Sequence, residues 1–165
     1  MSNAIKGVVL ATLLSFSFPA SAEPWQYQEE KDEMRGIVNK WAALKSENLV
    51  PLEFPYAPGA HLLIYVRSMP KKYGTDVFIT ATKGQLTCSY NNCYFNVKFD
   101  DGKIQRISAV RPDNGEHDTL FVSDRAVPGF IKKLKAAKKV FVEVDFFRQA
   151  GQQFKFDPEK ALEWK

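Results

Sequence analysis

The chain has two cysteines, Cys88 and Cys93, and each is flanked by a run of alternating apolar residues. Val77, Ile79 and Ala81 share one face before the pair, and Phe95, Val97 and Phe99 share one face after it. A period of two marks a strand with one buried face. Two such runs around Cys88-Ser89-Tyr90-Asn91-Asn92-Cys93 predict a β-hairpin tip stapled by a disulfide. With Tyr90 and Asn91 as the central turn residues, Ser89 faces Asn92 as a hydrogen-bonded pair. Cys88 then faces Cys93 as the next, non-hydrogen-bonded pair. Cα atoms of such a pair lie about 4.5 Å apart, the close end of the disulfide range. A turn centred on Asn91-Asn92 would put Tyr90 opposite Cys93 and lose the match. Asn in the second turn position tolerates left-handed backbone. Closing so short a loop contributes only about 2 kcal/mol, so the bridge sets register more than it holds the fold. The spacing is not Cys-x-x-Cys, and no His or Lys adjoins either thiol, which favours a structural role over a redox one.

A disulfide requires an oxidising compartment, and the first 22 residues read as an export leader. Lys6 is their one cation, an apolar run covers Val8–Phe18, and Ala20-Ser21-Ala22 has the small-x-small form of a cleavage site. That run is shorter than the roughly 20 residues that span a bilayer, and no later segment is apolar enough, so no transmembrane segment is expected after cleavage. The expected organisation is a leader over 1–22 and one β-rich domain over 23–165. Without Lys6, 22 basic residues stand against 19 acidic ones, a net charge of +3. Export and so mild a charge argue against nucleic acid as a partner. Thirteen Phe and 13% aromatic residues lean toward β structure.

Turn signals divide the rest of the chain into short segments. Glu23–Glu33 reads as an acidic surface lead-in with an edge strand at Trp25–Tyr27. Residues 34–45 fit either a helical stripe or alternation, and Gly36 favours the strand. Pro55–Ala60 reads as a loop, Leu62–Arg67 as a buried strand, and Gly84 as a bulge or tight turn. Asp100-Asp101-Gly102 marks a turn into a strand ending at Val110, and Leu120–Val122 is a further short strand. Ser123 or Asp124 is expected to cap a helix with Pro128 in its first turn. Val127, Phe130, Ile131, Leu134 and Ala137 form its apolar face. Lys132, Lys133, Lys135, Lys138 and Lys139 form a basic face. Val140–Phe147 and Gln152–Asp157 are expected to pair across Ala150-Gly151. The fold class is therefore mainly β: an antiparallel β-sandwich or open barrel with one amphipathic helix near the C-terminal end.

Reaction centres are hard to find in this pattern. His61 and His117 lack metal-ligand spacing, and neither a Gly-x-Ser-x-Gly nor a phosphate-binding glycine loop occurs. Glu29, Glu30, Asp32 and Glu33 read as a solvated lead-in, and Asp100 with Asp101 as a turn, rather than as carboxylates held across a cleft. No catalytic residue, metal or cofactor is expected. Two binding candidates stand out. One is the loop tip Tyr90 and Asn91, with Tyr56 and Tyr73 also in loops. The other is the basic face, suited to an acidic partner, lipopolysaccharide or a membrane surface.

The order of features resembles that of small exported bacterial proteins, and is similar in layout to the periplasmic type VI secretion-associated VasI proteins. It runs through Asp32-Glu33-Met34, Pro55-Tyr56, Leu62–Arg67, Gly84–Cys88, Phe99-Asp100-Asp101-Gly102, Phe130–Leu134, Phe154-Lys155-Phe156 and Leu162-Glu163-Trp164. The resemblance covers nearly all of residues 23–165, implies an exported all-β domain and brings no catalytic residue. The function expected is a non-enzymatic periplasmic or secreted binding or accessory protein of the envelope or a secretion system, with a protein partner there. The alternative is an inhibitor or immunity protein that blocks an envelope-directed hydrolase such as a lysozyme, with the stapled loop as its wedge.

Overall fold

A computed structural model describes residues 24–89 and 92–165. Nine strands and one helix follow in order: β1 Gln26–Asp32, β2 Ile37–Lys45, β3 Leu62–Met69, β4 Gly74–Ala81, β5 Tyr94–Phe99, β6 Gln105–Val110, β7 Thr119–Val122, α1 Val127–Leu134, β8 Val140–Phe146 and β9 Gln149–Phe156. The strands form one open sheet in the order β1-β2-β3-β4-β7-β6-β5-β8-β9, and every pairing is antiparallel.

Alternation decides which face is buried. Leu62, Ile64 and Val66 pair with Ala81, Ile79 and Val77, and Phe95, Val97 and Phe99 point the same way. These residues join Leu120, Val142, Phe154 and Phe156 in one core. Nine strands about 4.8 Å apart would make a flat sheet nearly 40 Å wide. An eight-residue helix, about 12 Å long, cannot cover such a face, so the sheet must curl to cover itself. Its two ends do approach. The chain after β2 lies against β9: Glu47 N donates to Lys155 O at 2.8 Å, and Asn48 Nδ2 donates to Gln153 O at 2.9 Å while its Oδ1 accepts from Lys155 N at 2.7 Å. The tail after β9 reaches back to β1, where Glu163 N donates to Tyr27 Oη at 2.8 Å, and Leu162 is buried. Loop and tail contacts close the seam in place of a strand ladder.

The helix packs at the end of the curled sheet where β7 leaves and β8 enters. Phe130 is 2% exposed, edge-on to Phe95 and Phe99 at ring-centroid distances of 6.2 and 5.5 Å. Asp100, at φ 47°, accepts the backbone N–H groups of Lys138 and Lys139 through Oδ1 at 2.9 and 2.8 Å. That carboxylate ties the chain beyond the helix to the β5–β6 turn.

Of the ambiguous stretch 34–45, Ile37–Lys45 is strand β2 while Met34, Arg35 and Gly36, the last at φ 61°, belong to the turn before it, and the acidic lead-in is strand as far as Asp32. Three expectations are corrected. The runs on either side of the cysteine pair do not form a hairpin: β4 pairs with β3 and β7, and β5 with β6 and β8, because β6 and β7 insert between them. The N-cap is Ala126, without a side-chain hydrogen bond, rather than Ser123 or Asp124. Ser123 N donates to Ser108 O at 2.9 Å, so Ser123 still extends the sheet and the helix starts a turn later. The β8–β9 turn falls at Phe147-Arg148, with Arg148 at φ 66°, rather than at Ala150-Gly151. Phe147 N pairs with Gln85 O at 2.9 Å, which pins the reversal there. Gly151 sits in β9 instead, its N–H donating to Asp145 Oδ1 at 2.7 Å.

Candidate functional site

Cross-strand register builds the most developed surface feature on the outer face of the sheet. Tyr65 pairs with Phe78 across β3 and β4, and Phe78 with Phe121 across β4 and β7. Tyr65 and Phe78 stack at 4.9 Å, and Phe78 and Phe121 also lie 4.9 Å apart, tilted by 36°. The three rings form a row across three strands, each half-buried. Arg67, two residues beyond Tyr65 on the same face, lies 5.0, 5.2 and 5.7 Å from the ring centroids of Tyr73, Phe78 and Phe121. Asp76, its register partner, accepts from Nε at 3.0 Å and from Nη2 at 2.5 Å. Such a fork on a carboxylate is directional and strong. Its cation–π contacts add to the hold.

The segment 111–118 rises beside this row and turns it into a groove of about 1000 Å³. Two backbone bonds and one from a side chain anchor the wall: Leu86 N donates to His117 O at 2.7 Å, Ala81 N to Asp118 O at 2.9 Å, and Arg111 Nη2 to Leu86 O at 2.8 Å. Arg111 Nη1 also lies 2.9 Å from His117 Nδ1. A guanidinium can only donate, so Nδ1 accepts and the ring proton sits on Nε2. Asp113, Glu116, Asp118 and Asp124 line the groove, and among the described residues none of them is in an ion pair. The aromatic floor is thus rimmed by many polar and acidic groups.

Hydroxyls in the groove do not form an activated nucleophile. Thr80 and Thr119 Oγ1 atoms are 3.0 Å apart, and Thr119 donates to Asp118 Oδ1 at 3.1 Å, with no imidazole in the chain of bonds. Among the described residues no cluster of three or more His, Cys, Asp or Glu is placed to hold a metal ion. His61 is spent on Ser46, with Nδ1 3.0 Å from its carbonyl oxygen.

A smaller hollow of about 260 Å³ lies on the outer face of β5, β8 and β9. Glu143 accepts there from Asn96 Nδ2 at 2.9 Å and Gln153 Nε2 at 2.8 Å. The bond from Asn96, and then that from Gln153, hold its carboxyl below the usual carboxylate value against a smaller effect of burial.

The sites expected from sequence lie elsewhere. Cys88 and Cys93 are joined, with Cα atoms 4.7 Å apart, and Ser89 bridges Asn92 with an N to O distance of 3.2 Å. The pairing derived for Cys88 with Cys93 and Ser89 with Asn92 is present as an isolated bridge, without a hairpin between the flanking strands. Tyr90 and Asn91 lie outside the described residues. Lys132, Lys133, Lys135, Lys138 and Lys139 are all exposed at the helix end; none lines the groove, though Lys135 shares a hollow with Tyr73 and Asp124 at its margin. Of the loop tyrosines, Tyr73 reaches the groove and Tyr56 packs against the core. Sequence reasoning missed the aromatic row because Leu62–Arg67 reads as a continuously buried run. The outward positions Tyr65 and Arg67 gain meaning only opposite Phe78 and Asp76. No family model, curated protein or solved structure matches the chain.

Proposed function

We propose that this is an exported, non-enzymatic binding or accessory protein of the bacterial envelope or a secretion system, and that the groove over β3, β4 and β7 receives its protein partner. The observation that carries the reading is the row of Tyr65, Phe78 and Phe121 along an anchored wall. Outward aromatic side chains that could have been polar at no cost to the core mark a contact surface. The leader-like residues 1–22 and the disulfide support export. No helix among the described residues is long and apolar enough to cross a membrane.

The test is photo-crosslinking in cells from the groove margin, at Tyr73 and Asp113, with Lys45 on the sheet as a reference position. The expected result is an adduct from the two groove positions that is lost when Phe121 is replaced by Ser. Adducts from Lys45 alone would refute the groove as the site.

A second reading, an inhibitor of an envelope-directed hydrolase, is favoured by one observation. The stapled hairpin shares its end of the molecule with Phe54 and Phe147, exposed by 93% and 57% and brought together by the bond from Glu53 N to Gln149 Oε1 at 3.0 Å. Tyr90→Ala with Asn91→Ala should then abolish inhibition of a lysozyme. Failure of the wild-type protein to inhibit at micromolar concentration sinks this reading for that enzyme.

A further inference from the structure

The chain's positive charge is not spread evenly. Lys132 and Lys133 on α1, Lys135, Lys138 and Lys139 behind it, and Lys103 on the β5–β6 turn are all exposed at one end of the curled sheet. The turn and helix segments are held together there, because Asp100 accepts the N–H groups of Lys138 and Lys139 and Lys133 Nζ bonds to Gln105 Oε1. Acids at this end are Asp100, Asp101, Asp157 and, in a hollow shared with Lys135, Asp124. Asp100 is occupied by the backbone, and Asp157 lies 3.9 Å from Lys139 and 4.0 Å from Lys155. Six lysines stand against four carboxylates here, and Lys155 beside Asp157 and Lys165 beside Lys135 add to the basic side. Lys132, Lys135 and Lys138 have neither an ion pair nor a side-chain hydrogen bond among the described residues.

The helix dipole accounts for lysines in the last turn of α1. It does not account for Lys103 on another element, nor for Ile104, which is 71% exposed between Lys103 and the residue that Lys133 holds. A large aliphatic side chain set among lysines is the composition of an interfacial surface. The apolar group enters the acyl boundary, and the ammonium groups stay with the phosphates. Clusters of four to eight basic residues are the recognised lipid-binding density. We infer that the helix end of this protein docks on an anionic phospholipid bilayer through these lysines, with Ile104 as the apolar contact. The inference does not rest on the groove reading, although Lys135 shares a hollow with Tyr73 and Asp124 at the groove margin.

Co-sedimentation with vesicles tests the inference, using the full chain as its host processes it. The lipids are phosphatidylglycerol and phosphatidylcholine at about 30:70, or phosphatidylcholine alone. At low salt the protein should sediment with the anionic vesicles and not with the zwitterionic ones, and binding should fall steeply by about 0.5 M salt. Lys132→Gln, Lys135→Gln and Lys138→Gln together should weaken binding at least tenfold, since each surface lysine is worth about fivefold. Ile104→Ser should weaken it at high and low salt alike. Lys31→Gln, Lys45→Gln and Lys83→Gln, an equal charge change elsewhere, should leave it within about twofold. Absence of binding to anionic vesicles, equal binding to both lipids, or an equal loss in the two triple variants would each overturn the inference. An acidic protein as the true occupant would show itself as the first of these.

Discussion

Replacing Phe130 by Ala tests whether α1 is part of the core or an ornament on it. Its ring is 2% exposed and meets Phe95 and Phe99 edge-on. Truncation of a buried Phe to Ala costs about 3–5 kcal/mol, including the cavity it leaves. Edge-to-face pairs contribute about 0.5–1.5 kcal/mol beyond area, so two of them place this site near the top of that range, at about 5 kcal/mol. A domain's whole stability is about 5–15 kcal/mol, so the variant should lose a third or more of it. Urea unfolding followed by far-ultraviolet circular dichroism reads the change. With a slope of about 2 kcal/mol per molar, the midpoint should fall by about 2.5 M. Phe130→Leu keeps most of the apolar volume and should fall by less than half as much. Lys132→Ala on the exposed side of the same helix should stay within about 0.5 kcal/mol. A loss below about 1 kcal/mol for Phe130→Ala at unchanged slope would refute the claim that the helix plugs the open end of the sheet.

Gly59 lies at φ 145°, and a Cβ there would meet Val50 O at 2.1 Å; Gly59→Ala should therefore cost about 3 kcal/mol or more, measured by thermal melting, and a neutral result would mean that this backbone approach is relieved at little cost. Cys88→Ser with Cys93→Ser should cost only about 2 kcal/mol, leaving a folded protein by circular dichroism; complete unfolding would show that the bridge does more than set register. Asp76→Ala leaves Arg67 among three rings without its carboxylate, and since the pair is 19% and 14% exposed the loss should be about 2 kcal/mol, below the value for a fully buried pair. The double variant Arg67→Met with Asp76→Ala should recover part of that loss, and additive losses would contradict the ion-pair account. Glu143 has its folded-state value lowered from 4.5 by Asn96 and Gln153, so its ionised form contributes stability that is present above pH 4.5 and is lost as pH falls through the folded value. The stability gap between the wild type and Glu143→Gln should be constant from about pH 6 to 8 and close in acid, and a gap that widens on acidification would reverse the assigned sign.

Period-two alternation is local, and it determined a good part of this protein without any structure. It marked the buried faces of Val77-Ile79-Ala81 and Phe95-Val97-Phe99, and the spacing of Cys88 and Cys93 set the local pairing at their bridge, but not which strands lie beside those runs. Pro128 and the spacing of Val127, Phe130 and Leu134 did the same for the one helix. Features that depend on which strand lies beside which were decided only by the tertiary structure. The β8–β9 reversal at Phe147 depends on Gln85, some sixty residues earlier, and the helix start depends on Ser108 holding Ser123. The groove depends on β7 inserting beside β4, which brings Phe121 to Phe78. A residue's own neighbours in sequence say which face it occupies, because the pleat repeats every two residues. They carry no information on what stands opposite, because pairing between distant strands is fixed by how all nine cover one core.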